Sequence, residues 1–194
     1  MRGFNYKKAI QALNYFALQN GGQINKMKAL KLIWLSDRYH LRKFGRTITG
    51  DVYFALPFGP VASTTRDILE KNEGLSDIEI EYSVIYLQPV DKYNYMSISS
   101  FVEKVLSETD KKALETVYST YKDHDHFMLS ELSHNFPEWE KYKSALDRNI
   151  ASRFEIDWND FFQNVDDGKG LFIDTDEFLA ISRELFQQKT QVRW

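Results

Sequence analysis

Four histidines, His40, His124, His126 and His134, are the first residues of this chain to test for chemistry, and two of them sit in the run Asp123-His124-Asp125-His126. Imidazole nitrogen and carboxylate oxygen both suit zinc or a harder transition metal, so this run is the best metal candidate in the chain. Its spacing is wrong for a motif. No HExxH occurs, and His134 follows eight residues later on its own helix. The expectation is an exposed helix start and no metal. The acid-rich piece DDGKGLFIDTDE (166–177) invites a calcium-loop reading, which needs glycine at the sixth position and an acid at the first. Counting back from Gly168 reaches Gln163, and from Gly170 reaches Val165, so a turn with a helix cap is the better account. Ser130, Ser133 and His134 are close in sequence, yet no GxSxG elbow accompanies them. A carboxylate pair meeting only in space would leave no trace in spacing, and an enzyme remains the third reading.

The second helix carries a different chemistry. Lys28, Lys31, Arg38 and Arg42 fall on one of its faces, with Lys26, Lys43 and Arg46 nearby. Such a row could meet phosphates or an acidic protein. It is part of a wider asymmetry: residues 1–66 hold 11 Lys or Arg against 2 acids, and residues 67–194 hold 14 against 26. Part of that difference is expected to cancel across an internal packing surface.

These residues need elements to position them. Ile10, Leu13, Phe16 and Ala17 recur at helical spacing over 4–19, and Gly21-Gly22 stops the helix. Asn25 can cap a second helix to about Phe44, with Met27, Leu30, Trp34 and Leu41 in one stripe. Leu32 and Leu35 lie outside that stripe, so this helix is expected to be central. The segment 50–63 reads as a shaped loop with a few extended residues, followed by helix to about Lys71. Alternation of Tyr82, Val84 and Tyr86 with Ser83, Ile85 and Leu87 predicts a strand, paired through a PVDKYN turn in a hairpin over 80–97. A capping box at Ser107–Asp110 opens a helix to about Tyr121, and a shorter helix spans His126–His134. Asp174 and Glu177 are expected to box the start of a last helix. The fold class is therefore mainly α: a compact helical domain with a small β-hairpin insertion (α+β), a domain over 1–147, and an acidic helical extension over 148–194 packed on it.

With 194 residues, 43% apolar and 27% charged, the chain can bury one sizeable core. It has no cysteine, which removes disulfides, thiolate metal sites and cysteine nucleophiles. No apolar stretch is long enough for a membrane span, and the start does not read as a signal peptide, so a cytoplasmic protein without a membrane partner is expected. No cofactor motif is present.

The run KALKLIWLSDRYHLRKFGRTITGDVYFALPFGPVAS (28–63) resembles the signature segment of the Panacea or SocA-like antitoxin domain, met also in phage-associated proteins. Lys31, Leu32, Trp34, Ser36, Asp37, His40, Leu41 and Gly45 match its helix. Ile48, Gly50, Asp51, Tyr53, Ala55, Phe58, Gly59, Pro60 and Val61 match the following loop. Leu132, Ser133, His134, Pro137 and Trp139 match a later motif, with Glu138 inserted where Pro and Trp are usually adjacent. The resemblance covers about 5–145.

It implies a non-enzymatic protein that neutralises a cognate toxin by direct contact, the toxin being encoded by a neighbouring gene, and in one relative by delivering it to a protease. Trp34, Asp37, His40, Gly45, Gly50, Gly59, Pro60, His134 and Trp139 are then expected to be architectural. Tyr53, Phe54 and Phe58 are expected to anchor the partner, with Lys31, Arg38 and Arg42 steering it. The alternative is a nucleic-acid-binding regulator using the same basic helix.

Overall fold

The structure, a computed structural model, describes residues 3–191; the ends of the ranges 1–147 and 148–194 lie outside the described residues. It is organised around one helix. After α1 (Tyr6–Gln19) and the short strand β1 (Gln23–Asn25), α2 (Lys26–Phe44) runs through the middle of the molecule. Asn25 caps its start, its side chain accepting from Met27 N–H at 2.9 Å and from Lys28 N–H at 3.3 Å. Gly45 ends it in the left-handed conformation (φ 62°), donating its N–H to Leu41. Fourteen of the 19 residues of α2 are buried, on every side of the helix, so it is the central helix expected from Leu32 and Leu35.

The loop expected over 50–63 is a hairpin, β2 (Tyr53–Leu56) paired antiparallel with β3 (Gly59–Ala62). Burial alternates along β2, and Gly59 (φ 98°) supplies the turn. Pro60 sits on the edge strand, where a missing N–H is tolerated. After α3 (Ser63–Glu70) comes the main departure from expectation. Residues 77–86 form helix α4 (Asp77–Tyr86), and only β4 (Leu87–Pro89) and β5 (Asn94–Ser97) make the second hairpin. The period-two alternation over 82–87 misled because burial follows the helical period instead: Tyr82, Ser83 and Tyr86 turn inward while Val84 and Ile85 stay exposed. The helix starts where Glu79 accepts from the Ser76 N–H and hydroxyl, a local signal stronger than the alternation. The β4–β5 hairpin adds β1 to form a sheet in the order β1-β5-β4.

Helices α5 (Glu108–Tyr121) and α6 (His126–Ser133) follow, opened by the Ser107 capping box and by Asp125, whose carboxylate accepts from Met128 N–H at 2.8 Å. Then come α7 (Pro137–Glu140), α8 (Lys143–Asp147), β6 (Phe154–Glu155) and α9 (Asp176–Gln191). Strand β6 joins the first hairpin in the order β3-β2-β6. The cap of α9 is Thr175, whose hydroxyl accepts from Phe178 N–H; Asp174, expected in that role, is drawn away to Arg42 and Lys43. Helix thus predominates, with two small antiparallel sheets.

Candidate partner-binding interface

The residues quoted from the signature segment converge on the hairpin β2–β3. Asp37 lies beneath it and accepts from Ile48 N–H (2.6 Å), Thr49 N–H (3.0 Å), the Thr49 hydroxyl and the Tyr53 hydroxyl (2.8 Å). Burial pushes its carboxyl up to about 6, against the pull of those four donors. Asp51 repeats the device for α3, accepting from Thr64 N–H and from Thr65 N–H and hydroxyl. Gly50 (φ 69°) makes the bend between them. His40 is sealed under the same loop, its Nδ1 2.7 Å from the Arg46 carbonyl and its Nε2 3.0 Å from the Thr109 hydroxyl. Burial holds His40 down to about 4, so the ring is neutral and Nδ1 donates to Arg46.

The later motif clamps the other side of the hairpin. Trp139 donates from its indole to the Leu56 carbonyl (2.7 Å), and the His134 ring stacks on it at 3.8 Å. Ser130 donates to the Phe58 carbonyl at 2.9 Å. Lys31 reaches up from α2 to the Pro60 carbonyl (3.0 Å) and Ser133 Oγ (3.2 Å), and no carboxylate pairs with it among the described residues. Burial drives its pKa well down. Gly59 must be glycine here, since a Cβ would stand 2.0 Å from Ser133 Oγ and 2.2 Å from Lys31 Nζ. Trp34 packs edge-on against Phe136.

This geometry corrects the expected contact surface. Lys31, Arg38 and Arg42 are 1%, 0% and 1% exposed, so they cannot steer a partner that meets the folded chain. Arg38 pairs with Glu138 at 2.9 Å, donates to the Gln163 carbonyl, and lies over the Phe136 and Phe172 rings. Glu138, the residue inserted in the later motif, is thus the buried counter-ion of Arg38. Arg42 donates to the carbonyls of Phe161, Gln163 and Phe172 and to Asn164 and Asp174. Burial lowers its pKa to about 10, which leaves it charged at neutral pH. Tyr53 is buried with its hydroxyl on Asp37, and Phe54 is half-buried under the Arg153 guanidinium. Phe58, 64% exposed at the hairpin turn, is the expected anchor that the free chain presents.

The charge asymmetry has the same cause. Lys8, Lys26, Arg38, Arg42, Lys43, Arg46 and Arg66, all within residues 1–66, pair with acids from residue 67 onwards. The excess of bases is an internal cross-link. Sequence reasoning also missed Asp167, which accepts from the Tyr121 hydroxyl and from Lys169 and Leu171 N–H, tying the acid-rich loop to α5. Among the described residues no group of three His, Cys, Asp or Glu could hold a metal ion, and no helix is long and apolar enough to cross a membrane.

The family model for the antitoxin SocA-like, Panacea domain matches residues 30–140, from within α2 to the end of α7. The chain belongs to this family. No curated protein and no solved structure matches it. Within the Panacea domain, then, both signature motifs serve the scaffold: one supports the β2–β3 hairpin from below, and the other pins its edge. Residues 141–191 lie outside the family match, and part of them covers the side of α2 that carries Arg38 and Arg42.

Proposed function

We propose that this protein is an antitoxin that neutralises a cognate toxin by direct, stoichiometric contact, without a reaction of its own. The observation that carries the reading is the match of the Panacea domain to more than half of the chain. The physical chemistry is compatible: His40, His134, Lys31 and Asp37 are engaged in holding the hairpin and the loop before it, and a contact inhibitor has no need of a reactive group. Delivery of the toxin to a protease is a finer version of the same proposal. The nucleic-acid reading leaned on the basic face of α2, where Arg38 and Arg42 are covered by carbonyls and carboxylates of residues 138–174 and Lys31 is buried on the Pro60 carbonyl.

The test is co-expression with the product of the neighbouring gene. A toxic product rendered harmless, with the two proteins co-purifying at equal stoichiometry, is the expected outcome. Undiminished toxicity with no complex would refute the proposal. Measuring the toxin's half-life in cells with and without their ATP-dependent proteases separates blocking, where it is unchanged, from delivery, where it shortens.

A further inference from the structure

Helix α4 and the β4–β5 hairpin together expose a group of aliphatic side chains. Ile78 is 63% exposed, Ile85 53%, Ile98 45% and Val84 42%. Ile78 and Ile85 are seven residues apart on α4 and share a face. Ile98 joins them, because its N–H donates to the Tyr86 carbonyl and the Ser99 hydroxyl donates to the Ile85 carbonyl. Met96, on the solvent side of β5 opposite Gln88, extends the surface. The opposite side of the helix is well fixed, with Tyr82 edge-on to Tyr6 and accepting from Gln11. The exposed side is therefore a held surface and not a loose end. Contiguous apolar surface of this kind on a single chain marks a binding site more often than chance exposure.

The charges around it choose the occupant. Residues 70–91 hold six acids against the single base Lys71. Glu70 is spent on Lys26 and Arg66, but Glu73, Asp77 and Glu81 are exposed and pair with no base among the described residues. A second copy of this chain would bring the same acids face to face, since a two-fold interface sets a patch against itself. Nucleic acid and anionic lipid are repelled for the same reason. What fits is a folded protein with an apolar hollow ringed by Lys and Arg. We infer that the α4–hairpin face, centred on Ile78, Ile85 and Ile98 and rimmed by Glu73, Asp77 and Glu81, is the docking surface for such a basic partner; this rests on the antitoxin reading, with the toxin as that partner.

The experiment uses the full chain and the product of the neighbouring gene as probe, with affinity measured by titration calorimetry. Ile78→Ser/Ile85→Ser should weaken binding about tenfold or more, as loss of central apolar anchors does. Glu73→Lys/Glu81→Lys should also weaken it, chiefly by slowing association, and the difference from wild type should shrink in about 0.5 M salt. Phe58→Ala should bind within about twofold of wild type, because Phe58 lies outside this face. Thermal midpoints within about 2 °C of wild type establish that the variants are folded. Both α4 variants folded and binding like wild type would overturn the inference and leave the antitoxin reading intact. A wild-type chain that fails to bind would overturn both. A free wild-type dimer that Ile78→Ser/Ile85→Ser dissociates would also overturn it, in favour of a second copy.

Discussion

Along α2 the molecule buries guanidinium and carboxylate groups, and along α4 it exposes isoleucines. Neither arrangement follows from residue type alone. Arg42 tolerates burial because its donors are met by three carbonyls and two side chains, and Asp174 balances its charge. Ile78 and Ile85 of α4 lie outside because the helix packs inward through Tyr82, Ser83 and Tyr86, which leaves those two on the solvent side. The first region spends its polar groups on internal cohesion; the second leaves apolar surface free for an outside contact. If that contrast is correct, substitutions in the two regions should separate stability from binding.

The largest effect belongs to Arg42. Arg42→Ala leaves the Phe161 carbonyl without its donor, takes one of two donors from the Gln163 and Phe172 carbonyls, leaves Asp174 to Lys43 alone, and should cost about 3–5 kcal/mol in urea denaturation. Arg42→Lys should recover little of it, because one ammonium cannot reproduce the fork. Limited proteolysis should then cut first within 148–175. The neighbouring pair sharpens the point. Arg38→Met and Glu138→Leu should each destabilise alone by stranding a buried charge, and the double variant should cost much less than their sum. An additive double variant would mean that Arg38 and Glu138 contribute independently and that the seam is not held by pairing.

Next comes Gly59→Ala, at about 2–3 kcal/mol. A side chain there is strained at φ 98° and must displace Ser133 or Lys31. The loss should appear equally in the free protein and in any complex, since the hairpin is scaffold. A variant with unchanged thermal midpoint and lost binding would place Gly59 in the interface instead.

How much of this could be read beforehand depended on range. Helix α2, its Asn25 cap and its Gly45 stop were legible because caps and apolar spacing are local. The capping box of α5 was legible for the same reason. Arg38 and Arg42 were not, because their partners lie 100 and 132 residues away, one an unexplained insertion in the later motif and the other in an acidic segment. A row of cations on a helix looks the same whether solvent or a folded-back tail covers it. The balancing charge halves were the available hint, and they pointed the right way. Helix α4 failed for the opposite reason: alternation is informative only when burial follows it, and here the covered residues recur at 82/86 and 83/87, the helical spacing. Of the three aromatic anchors expected for a partner, Phe58 is the one strongly exposed, since the aromatic spacing that marks an anchor is also what fills a core.

The pH response should show a cancellation within the buried scaffold. His40 falls to about 4 in the folded chain from an ordinary 6.5, so the unfolded chain takes up a proton first, and its contribution is complete above pH 6.5 and lost as pH falls towards 4. Asp37 rises to about 6 from 3.8, so the folded chain holds a proton longer, and its contribution is complete below pH 3.8 and lost as pH rises towards 6. Each is worth about 3 kcal/mol on a scale of 1.36 per unit, with opposite sign. Wild-type stability should therefore change little between pH 4 and 6 on their account. His40→Gln removes one limb, so its stability relative to wild type should fall as pH rises, and the difference between the two proteins should widen from pH 4 to 6.5. Asp37→Asn should alter the pH profile in the opposite sense. Parallel profiles for wild type and both variants would show that neither group titrates as its surroundings dictate.

The smallest effect is the most discriminating. Ile85→Ser removes a side chain that is 53% exposed, and its cost should stay within about 0.5 kcal/mol, the range of surface substitutions away from special features. Ile33→Ala, on the fully buried girth of α2, should cost about 2–5 kcal/mol by opening a cavity. The two isoleucines differ only in what the fold sets against them. Should Ile85→Ser cost as much as Ile33→Ala, then Ile85 is packed in solution by some part of this chain, and the face along α4 is not free for a partner. A near-neutral Ile85→Ser that also abolishes binding can mean one thing: the side chain was held outside the core for contact with another protein.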